Sequence, residues 1–252
     1  IWIVISLCVL AFYIVFMIYP LGILFKNAVI ESNGNFTFAY FSKFLSKNYY
    51  FSTIFNSFKV SLAATTLTLI IGTPLAYFYN MYKIKGKTFL QITIILCSMS
   101  APFIGAYSWI LLLGRNGLIT NIIKNLTGFN FPSIYGFGGI LLVLCMQLYP
   151  LVFLYVSGAL RNIDNSLLEA SENMGCTGTR RFFKIIIPLC IPTILAAALM
   201  VFMRAFADFG TPLFIGEGYR TFPVEIYNQF MNETGSDKNF ASAVSIIAII
   251  IT

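Results

Sequence analysis

"LLEASENMGCTGTRRFFKIIIPL", residues Leu167 to Leu189, separates two strongly apolar segments of the chain. It contains two glutamates, two glycines and three cations, and the apolar sequence resumes around Pro188. A chain this apolar would not interrupt itself in this way without a structural reason. This stretch and the apolar segments on either side of it therefore determine the fold.

The rest of the chain is far more apolar than a soluble domain. Its 252 residues are 58% hydrophobic and only 10% charged, whereas soluble domains carry about 25% charged residues. Intervals with little or no charge recur at close to the roughly 20 residues that cross a hydrocarbon core. The composition predicts an all-α integral membrane protein with six spans, the last of them truncated, at about 1–25, 58–79, 90–113, 138–160, 185–209 and 241–252 onward.

The inventory of reactive residues excludes several kinds of function. Histidine is absent, which removes the commonest transition-metal ligand and the commonest general base. We therefore predict no catalytic residue and no metal site in this chain. The five cysteines show no paired spacing and are interpreted as packing residues. The net charge of +7 is attributed to topology signals and anionic lipid, so no nucleic-acid partner is inferred.

Basic residues predict the orientation. Seven cations lie in the two short loops 80–87 and 161–184, while the three longer loops on the other side carry about as many over more than twice the length. Short loops rich in Lys and Arg stay on the cytoplasmic side. The segment 161–184 and the N-terminus are therefore predicted to be cytoplasmic. The interval 1–25 is too long for a signal peptide and lacks its basic start, so we interpret it as a true span whose cytoplasmic leader is missing.

The cytoplasmic segment has the signals of a short helix. Ser166 and Glu169 have the spacing of a capping box, and Gly175 is placed to end the helix in a left-handed turn. About nine residues are too few for a stable isolated helix, so something must hold it. On such a helix Leu167, Ser171 and Met174 would share one face, which either packs under the bundle or docks a soluble partner.

The same segment resembles the EAA loop of permease subunits of binding-protein-dependent ABC importers. The matching residues are Glu169, Ala170, Ser171, Gly175, Ile185, Ile187 and Pro188, with Ser171 and Ile187 as mild departures from Ala and Leu. The resemblance implies a six-span type I permease unit in the bacterial cytoplasmic (inner) membrane. It also implies that Glu169 to Gly175 form a coupling helix seated in a groove of a cytoplasmic ATPase subunit.

Three further stretches are similar to the ferric-iron branch of these permeases: "LLGRNGLI" (112–119), "YPLVFLYVSGALRNIDNSLLEAS" (149–171) and "FADFGTPLFIG" (206–216). Related branches transport polyamines, thiamine or aminoethylphosphonate. The resemblance implies two ATPase subunits, a second permease unit and a periplasmic or lipoprotein solute-binding protein as partners. It also implies that this chain is one half of a fused two-unit permease, and that ATP and magnesium are bound by the ATPase rather than here.

A charged pair is predicted near the outer end of the fifth span. Arg204 and Asp208 stand four residues apart, which places them on one helical face. They would neutralise each other, line the translocation path or outer gate, or brace the neighbouring unit. A secondary transporter or channel that uses this pair without ATP is the main alternative function.

Two other polar motifs are interpreted more simply. Gly86, Lys87 and Thr88 resemble the end of a phosphate-binding loop, but the earlier glycine that such a loop needs is Met81. ATP hydrolysis must then come from a partner. The acidic residues of the last outer loop are interpreted as solvated charge or as a docking surface for the binding protein, and they are Glu217, Glu225, Glu233 and Asp237.

Overall fold

The structure is a computed structural model that describes residues 2–31, 35–83, 85–99, 101–128, 133–231 and 237–251. These residues are mainly helical. The elements are α1 (Trp2–Val29), α2 (Ala39–Ser46), α3 (Asn48–Met81), α4 (Lys87–Ser98), α5 (Pro102–Leu113), α6 (Leu118–Thr127), α7 (Phe137–Arg161), α8 (Asn165–Asn173), α9 (Gly178–Phe206), α10 (Gly210–Ile215), α11 (Phe222–Met231) and α12 (Lys238–Ile251).

Four of these helices, α1, α3, α7 and α9, are long and apolar enough to cross a membrane. They cover the predicted spans 1–25, 58–79 and 138–160 and most of the fifth. The predicted span 90–113 is interrupted: α4 and the following helices reach the required length only together and bend by 105°, so the segment is either one broken span or a re-entrant loop. The residue before Pro102 is extended, as the proline ring requires of its neighbour, so the helix cannot continue through it.

The chain divides into two compact units, with the boundary inside α3. The first unit consists of residues 1–57 and 220–252. In it, α12 packs against the end of α1, against α2 and against α11. Aromatic rings fill the space between these helices, with Phe44 contacting both Phe222 and Phe240 at centroid distances of 5.7 and 6.5 Å. Most of α1 itself is exposed and apolar, as expected of a helix that faces lipid or another subunit.

The second unit, residues 58–219, holds the larger hydrophobic core. There α7 packs along α9 and also contacts α4 and α10. The helices α3 and α7 approach closely at Gly72, where an added Cβ would lie 2.8 Å from Cβ of Val152. Nearby, Asn80 of α3 donates a 2.7 Å hydrogen bond from Nδ2 to Oγ of Ser157 on α7. Small residues at the contact let the two backbones approach, which is how helices in membranes gain packing energy.

Candidate functional site

Asp164 caps the N-terminus of α8. Its Oδ1 accepts a 2.9 Å hydrogen bond from the backbone N–H of Ser166, and its own backbone is extended. The predicted capping box is therefore wrong, because Ser166 already lies inside the helix. Asp is as good an N-cap as Ser, and Asp164 stands two residues earlier. Glu169 is exposed and makes no hydrogen bond or ion pair within the described part of the chain.

Gly175 ends α8, as predicted. Its φ is +75°, its N–H donates to the carbonyl of Glu172, and the N–H of Cys176 donates to the carbonyl of Ser171, both at 2.9 Å. This pair of bonds is the Schellman motif, in which a left-handed residue satisfies the last carbonyls of a helix. A Cβ added at Gly175 would meet nothing within 4 Å. The glycine is therefore required by backbone conformation and not by packing inside this chain.

The two faces of α8 differ from the prediction. Ser171 is 2% exposed and lies on the inner face with Leu168, which packs against the core of the second unit. The outer face carries Leu167, Ala170 and Met174, spaced three and four residues apart, with Met174 80% exposed. The predicted grouping of Ser171 with Leu167 and Met174 is therefore wrong. An apolar side chain left in water costs up to about 1.5–3 kcal/mol relative to its burial, so this outer face favours a docked partner.

The serine that replaces the second alanine of the EAA pattern fits without cost. Its hydroxyl donates a 2.7 Å hydrogen bond to the carbonyl of Leu168 one turn earlier. A buried hydroxyl with a partner is not penalised. Ser171 therefore does not change how the outer face of α8 is presented. Cys176 is half-buried and takes part in the helix stop through its backbone.

One ion pair joins α8 to the start of α9. Nη1 of Arg181 lies 3.3 Å from Oε2 of Glu172, with the arginine side chain 20% exposed and the glutamate 64% exposed. Exposed pairs of this kind contribute about 0–1 kcal/mol. The burial of Leu168 and Ser171 therefore contributes more than this ion pair to holding α8 in place.

The entry to α9 is irregular. Gly178 has a φ of +57°, and a π-helical turn follows over Phe182–Ile186. Pro188 lies two residues after the end of this turn and is exposed. Because proline has no N–H to donate, the helix on its N-terminal side must adjust its hydrogen bonds, and single π turns of this kind are frequent at functional sites.

Arg204 and Asp208 do not form a pair. Arg204 lies in the last turn of α9, whereas Asp208 lies beyond the end of the helix and accepts a 3.1 Å hydrogen bond from the N–H of Thr211. Among the ion pairs of the described residues none joins the two. Burial raises the pKa of the Asp208 carboxyl, and hydrogen bonding to Thr211 opposes that rise. The structure therefore contradicts the interpretation of Arg204 and Asp208 as a self-neutralising pair.

Arg204 instead lines a cavity of about 310 Å³ together with Gln147 of α7. Gln147 was not singled out from the sequence, although it is a lone amide in the apolar stretch "LLVLCMQLYPLV" (141–152). A polar residue inside a span is rare enough to be a signal by itself. Whether Arg204 or Asp208 lies on a pathway or gate stays a prediction.

The acidic residues of the last outer loop are less solvated than predicted. Glu225 is 1% exposed, and its two oxygens accept hydrogen bonds from the Tyr49 hydroxyl at 3.2 Å and from the Gln229 amide at 2.7 Å. Glu217 pairs with Arg115. Asp237 lies 3.5 Å from Nζ of Lys43, and Glu233 is outside the described residues. The interpretation as solvated loop charge is therefore wrong for Glu225, which is part of the interior of the first unit.

Comparisons with known proteins agree with this architecture. The chain is 28% identical to the ferric transport system permease protein FbpB of Actinobacillus pleuropneumoniae over 241 residues, which cover 94% of this chain and 34% of that one. It is 24% identical to a protein of Salmonella typhimurium named as the 2-aminoethylphosphonate transport system permease PhnU, with 100% and 87% covered. The chain thus spans only about a third of the length of the ferric relative.

The same fold is found in a solved structure. A crystal structure of a bacterial alginate ABC transporter, in complex with its alginate pentasaccharide-bound periplasmic protein, contains a chain that matches with a TM-score of 0.80. The sequences are 17% identical, and the match covers 99% of this chain and 90% of that one. At this identity the likeness shows the fold alone. The sequence pattern of one family matches residues 1–252 throughout, and the chain belongs to that family, the inner membrane components of binding-protein-dependent transport systems.

Proposed function

We propose that this chain is the permease unit through which an ATP-driven importer passes ferric iron from a soluble binding protein across the inner membrane. Its partners in this proposal are two ATPase subunits, a second permease unit and a periplasmic or lipoprotein solute-binding protein. ATP and magnesium are bound by the ATPase subunits. The second permease unit is either the other half of a fused chain or a separate one.

The observation that carries the proposal is the construction of α8. It is a short helix with a polar cap at one end and a Schellman stop at the other, and it is fastened to its own bundle by Leu168 and Ser171. Its other face presents Leu167, Ala170 and Met174 to the outside. A rigid, apolar, unpartnered face on a polar segment is suited to transmit a push from a docked protein.

In the proposed mechanism, closure of the two ATPase subunits on ATP displaces α8 and its counterpart in the second permease unit. The displacement passes into α9 through the turn at Gly178 and into the core through Leu168. The membrane helices then exchange between an inward-open and an outward-open state. The permease is the two-state element, and both the nucleotide and the loaded binding protein bias its equilibrium. In this arrangement α8 and the N-terminus face the cytoplasm, in accordance with the density of cations in 161–184.

Iron is favoured by the similarity to the ferric permease over 94% of this chain. Aminoethylphosphonate is the second candidate substrate, because the permease named for it is matched over 87% of its own length. Polyamines are the third candidate, because the spermidine/putrescine transport system permease PotB of Haemophilus influenzae is 28% identical but matches only 64% of this chain. Thiamine rests on the sequence resemblance alone.

The proposal is tested with the complete transporter in liposomes. The binding protein is added empty or loaded with ferric iron, aminoethylphosphonate, spermidine or thiamine in turn, and ATP hydrolysis and uptake are measured together. We expect the iron-loaded protein to stimulate hydrolysis and to deliver iron to the lumen. If only a binding protein loaded with another compound stimulated hydrolysis, that compound would be the substrate, and the importer function would still be supported. Uptake that persists without the ATPase subunits would instead support the secondary transporter or channel.

A further inference from the structure

The cavity beside Arg204 lies wholly within the second unit, between α4, α7 and α9. Its volume is about 310 Å³, which corresponds to roughly ten water molecules at about 30 Å³ each. The polar residues that line it are Ser98, Gln147, Tyr155 and Arg204, and the remaining lining is aliphatic or methionine. None of the described residues of this lining is acidic. The cavity is therefore positively charged and has room for a small molecule.

Arg204 is exposed at the edge of the cavity and has no partner among the described residues. Its guanidinium makes no hydrogen bond, ion pair or cation–π contact with the described residues. Charged residues inside a span almost always pair with each other or with backbone carbonyls, or line a water-filled path. A guanidinium presents five donors in a planar fork that matches the oxygens of a carboxylate or a phosphonate. The unpaired Arg204 is thus complementary to an oxyanion.

Two further polar groups at the cavity also lack a partner. Oε1 of Gln147 is buried without a hydrogen bond, whereas Tyr155 is 39% exposed and its hydroxyl makes no hydrogen bond to the described residues. Ser98 is different, because its hydroxyl already donates to the carbonyl of Ile95 at 2.7 Å. Gln147 stands ten residues into α7, about 15 Å from Phe137 at 1.5 Å per residue. A carboxamide oxygen at that depth requires a donor, and a ligand with a hydroxyl or an amine would supply it.

From these contacts we infer that the cavity binds a small oxyanion that also carries a hydroxyl or amine group, with the oxyanion on Arg204 and the donor near Gln147. Hydroxycarboxylates and aminophosphonates belong to this class. The inference rests on the proposed function, because it makes the cavity a station for the transported substrate. It implies that iron passes together with such an anion and not as a bare cation.

The test is a binding measurement on the purified full chain in nanodiscs of neutral lipid, so that it does not depend on transport or on the ATPase. The probes are citrate, 2-aminoethylphosphonate, methylphosphonate and putrescine, titrated by calorimetry. We expect the first two to bind, methylphosphonate to bind more weakly because it lacks the hydroxyl or amine, and putrescine not to bind. Arg204→Gln should weaken binding roughly 10- to 100-fold, the range expected for the loss of a hydrogen bond to a charged group.

Matched variants distinguish the loss of a specific binding site from a general effect of charge or folding on binding. Lys124→Gln removes one cation from an exposed position on α6 and should leave binding unchanged. Arg204→Lys should retain part of the affinity, and Gln147→Leu should abolish the preference for aminophosphonate over methylphosphonate. Equal loss in Lys124→Gln and Arg204→Gln, or binding of putrescine as tight as that of citrate, would overturn the inference.

A second arm distinguishes the two sources of an oxyanion, a soluble substrate and a lipid headgroup. Phosphatidylglycerol is added to the nanodiscs, and the citrate titration is repeated. A substrate site within the bundle should keep its affinity for citrate. A citrate affinity that falls in proportion to the phosphatidylglycerol content would assign the cavity to a lipid phosphate and overturn the substrate role. If citrate binds while the liposome assay shows no iron uptake, iron is rejected as the substrate, but the inferred oxyanion site is still supported.

Discussion

The segment 161–184 and the region around Arg204 are both polar, and the structure builds them in opposite ways. In the first, the cap, the helix and the stop are made by residues within about twelve positions of one another. In the second, the lining comes from α4, α7 and α9, which are far apart in sequence. The first region can therefore be changed locally without disturbing the bundle, whereas the second depends on how three helices pack.

The largest effect that separates the two regions is expected from Gly175→Trp. A Cβ at this position meets nothing in the chain, so beyond the left-handed backbone strain a bulky side chain adds no clash within the fold, and its bulk should interfere only with a docked partner. Uptake should fall by about 5- to 150-fold relative to ATP hydrolysis, the range of typical coupling free energies of about 1–3 kcal/mol. The measurement is uptake and hydrolysis in the same liposomes, with membrane insertion checked in parallel.

The control is Gly175→Ala, which shares the left-handed backbone strain of about 1–2 kcal/mol but adds no bulk. It should retain most of the uptake. If the alanine and tryptophan variants lose uptake equally, backbone strain is the cause, and the docking role of α8 is not supported.

A smaller but still large effect is expected from Gly72→Ala, directed at the second region. The new Cβ would lie 2.8 Å from Cβ of Val152, on the part of α7 between Gln147 and Tyr155. Overpacking of this kind costs about 1–3 kcal/mol, so the unfolding temperature and the affinity of the cavity for citrate should both fall. Hydrogen exchange in α8 should be unchanged, because its caps are local.

Gly158→Ala is the matched control on α7, since a Cβ there meets nothing within 4 Å. Replacing this helical glycine by alanine should stabilise the protein by up to about 1 kcal/mol. A Gly72→Ala variant as stable as Gly158→Ala would mean that α3 and α7 adjust freely at their contact.

The sequence predicted the first region better than the second, because the first is built from residues that lie close together in the chain. Gly175 was identified because a left-handed helix stop follows from the residue itself. Gln147 was missed and Arg204 was paired with the wrong partner, because their surroundings depend on α4 and α7. Even locally the inner face of α8 was assigned wrongly, since the burial of Ser171 is decided by the core below it. The break at Pro102 could have been expected from the proline alone, but its 105° angle could not.

An effect of about 1 kcal/mol is expected from Asp164→Ala, because the loss of an N-cap oxygen typically costs that much. The amide protons of the first turn of α8 should exchange faster with solvent, and the coupling of uptake to hydrolysis should weaken. Ser166→Ala is the comparison, and it should be nearly neutral. If Ser166→Ala were the more damaging change, the capping box would be restored as the helix start.

The smallest effect is expected from Glu172→Gln, which removes the ion pair with Arg181. The pair is largely exposed on the glutamate side, so its contribution should be about 0.2–1 kcal/mol and should decrease with salt. The readout is the exchange protection of α8 at low and high ionic strength, in a double-mutant cycle with Arg181→Gln. A coupling energy well above this range would mean that charge, and not the burial of Leu168 and Ser171, fixes α8 to α9. The first region would then be less local than its caps suggest, because its position would depend on a residue of the next helix.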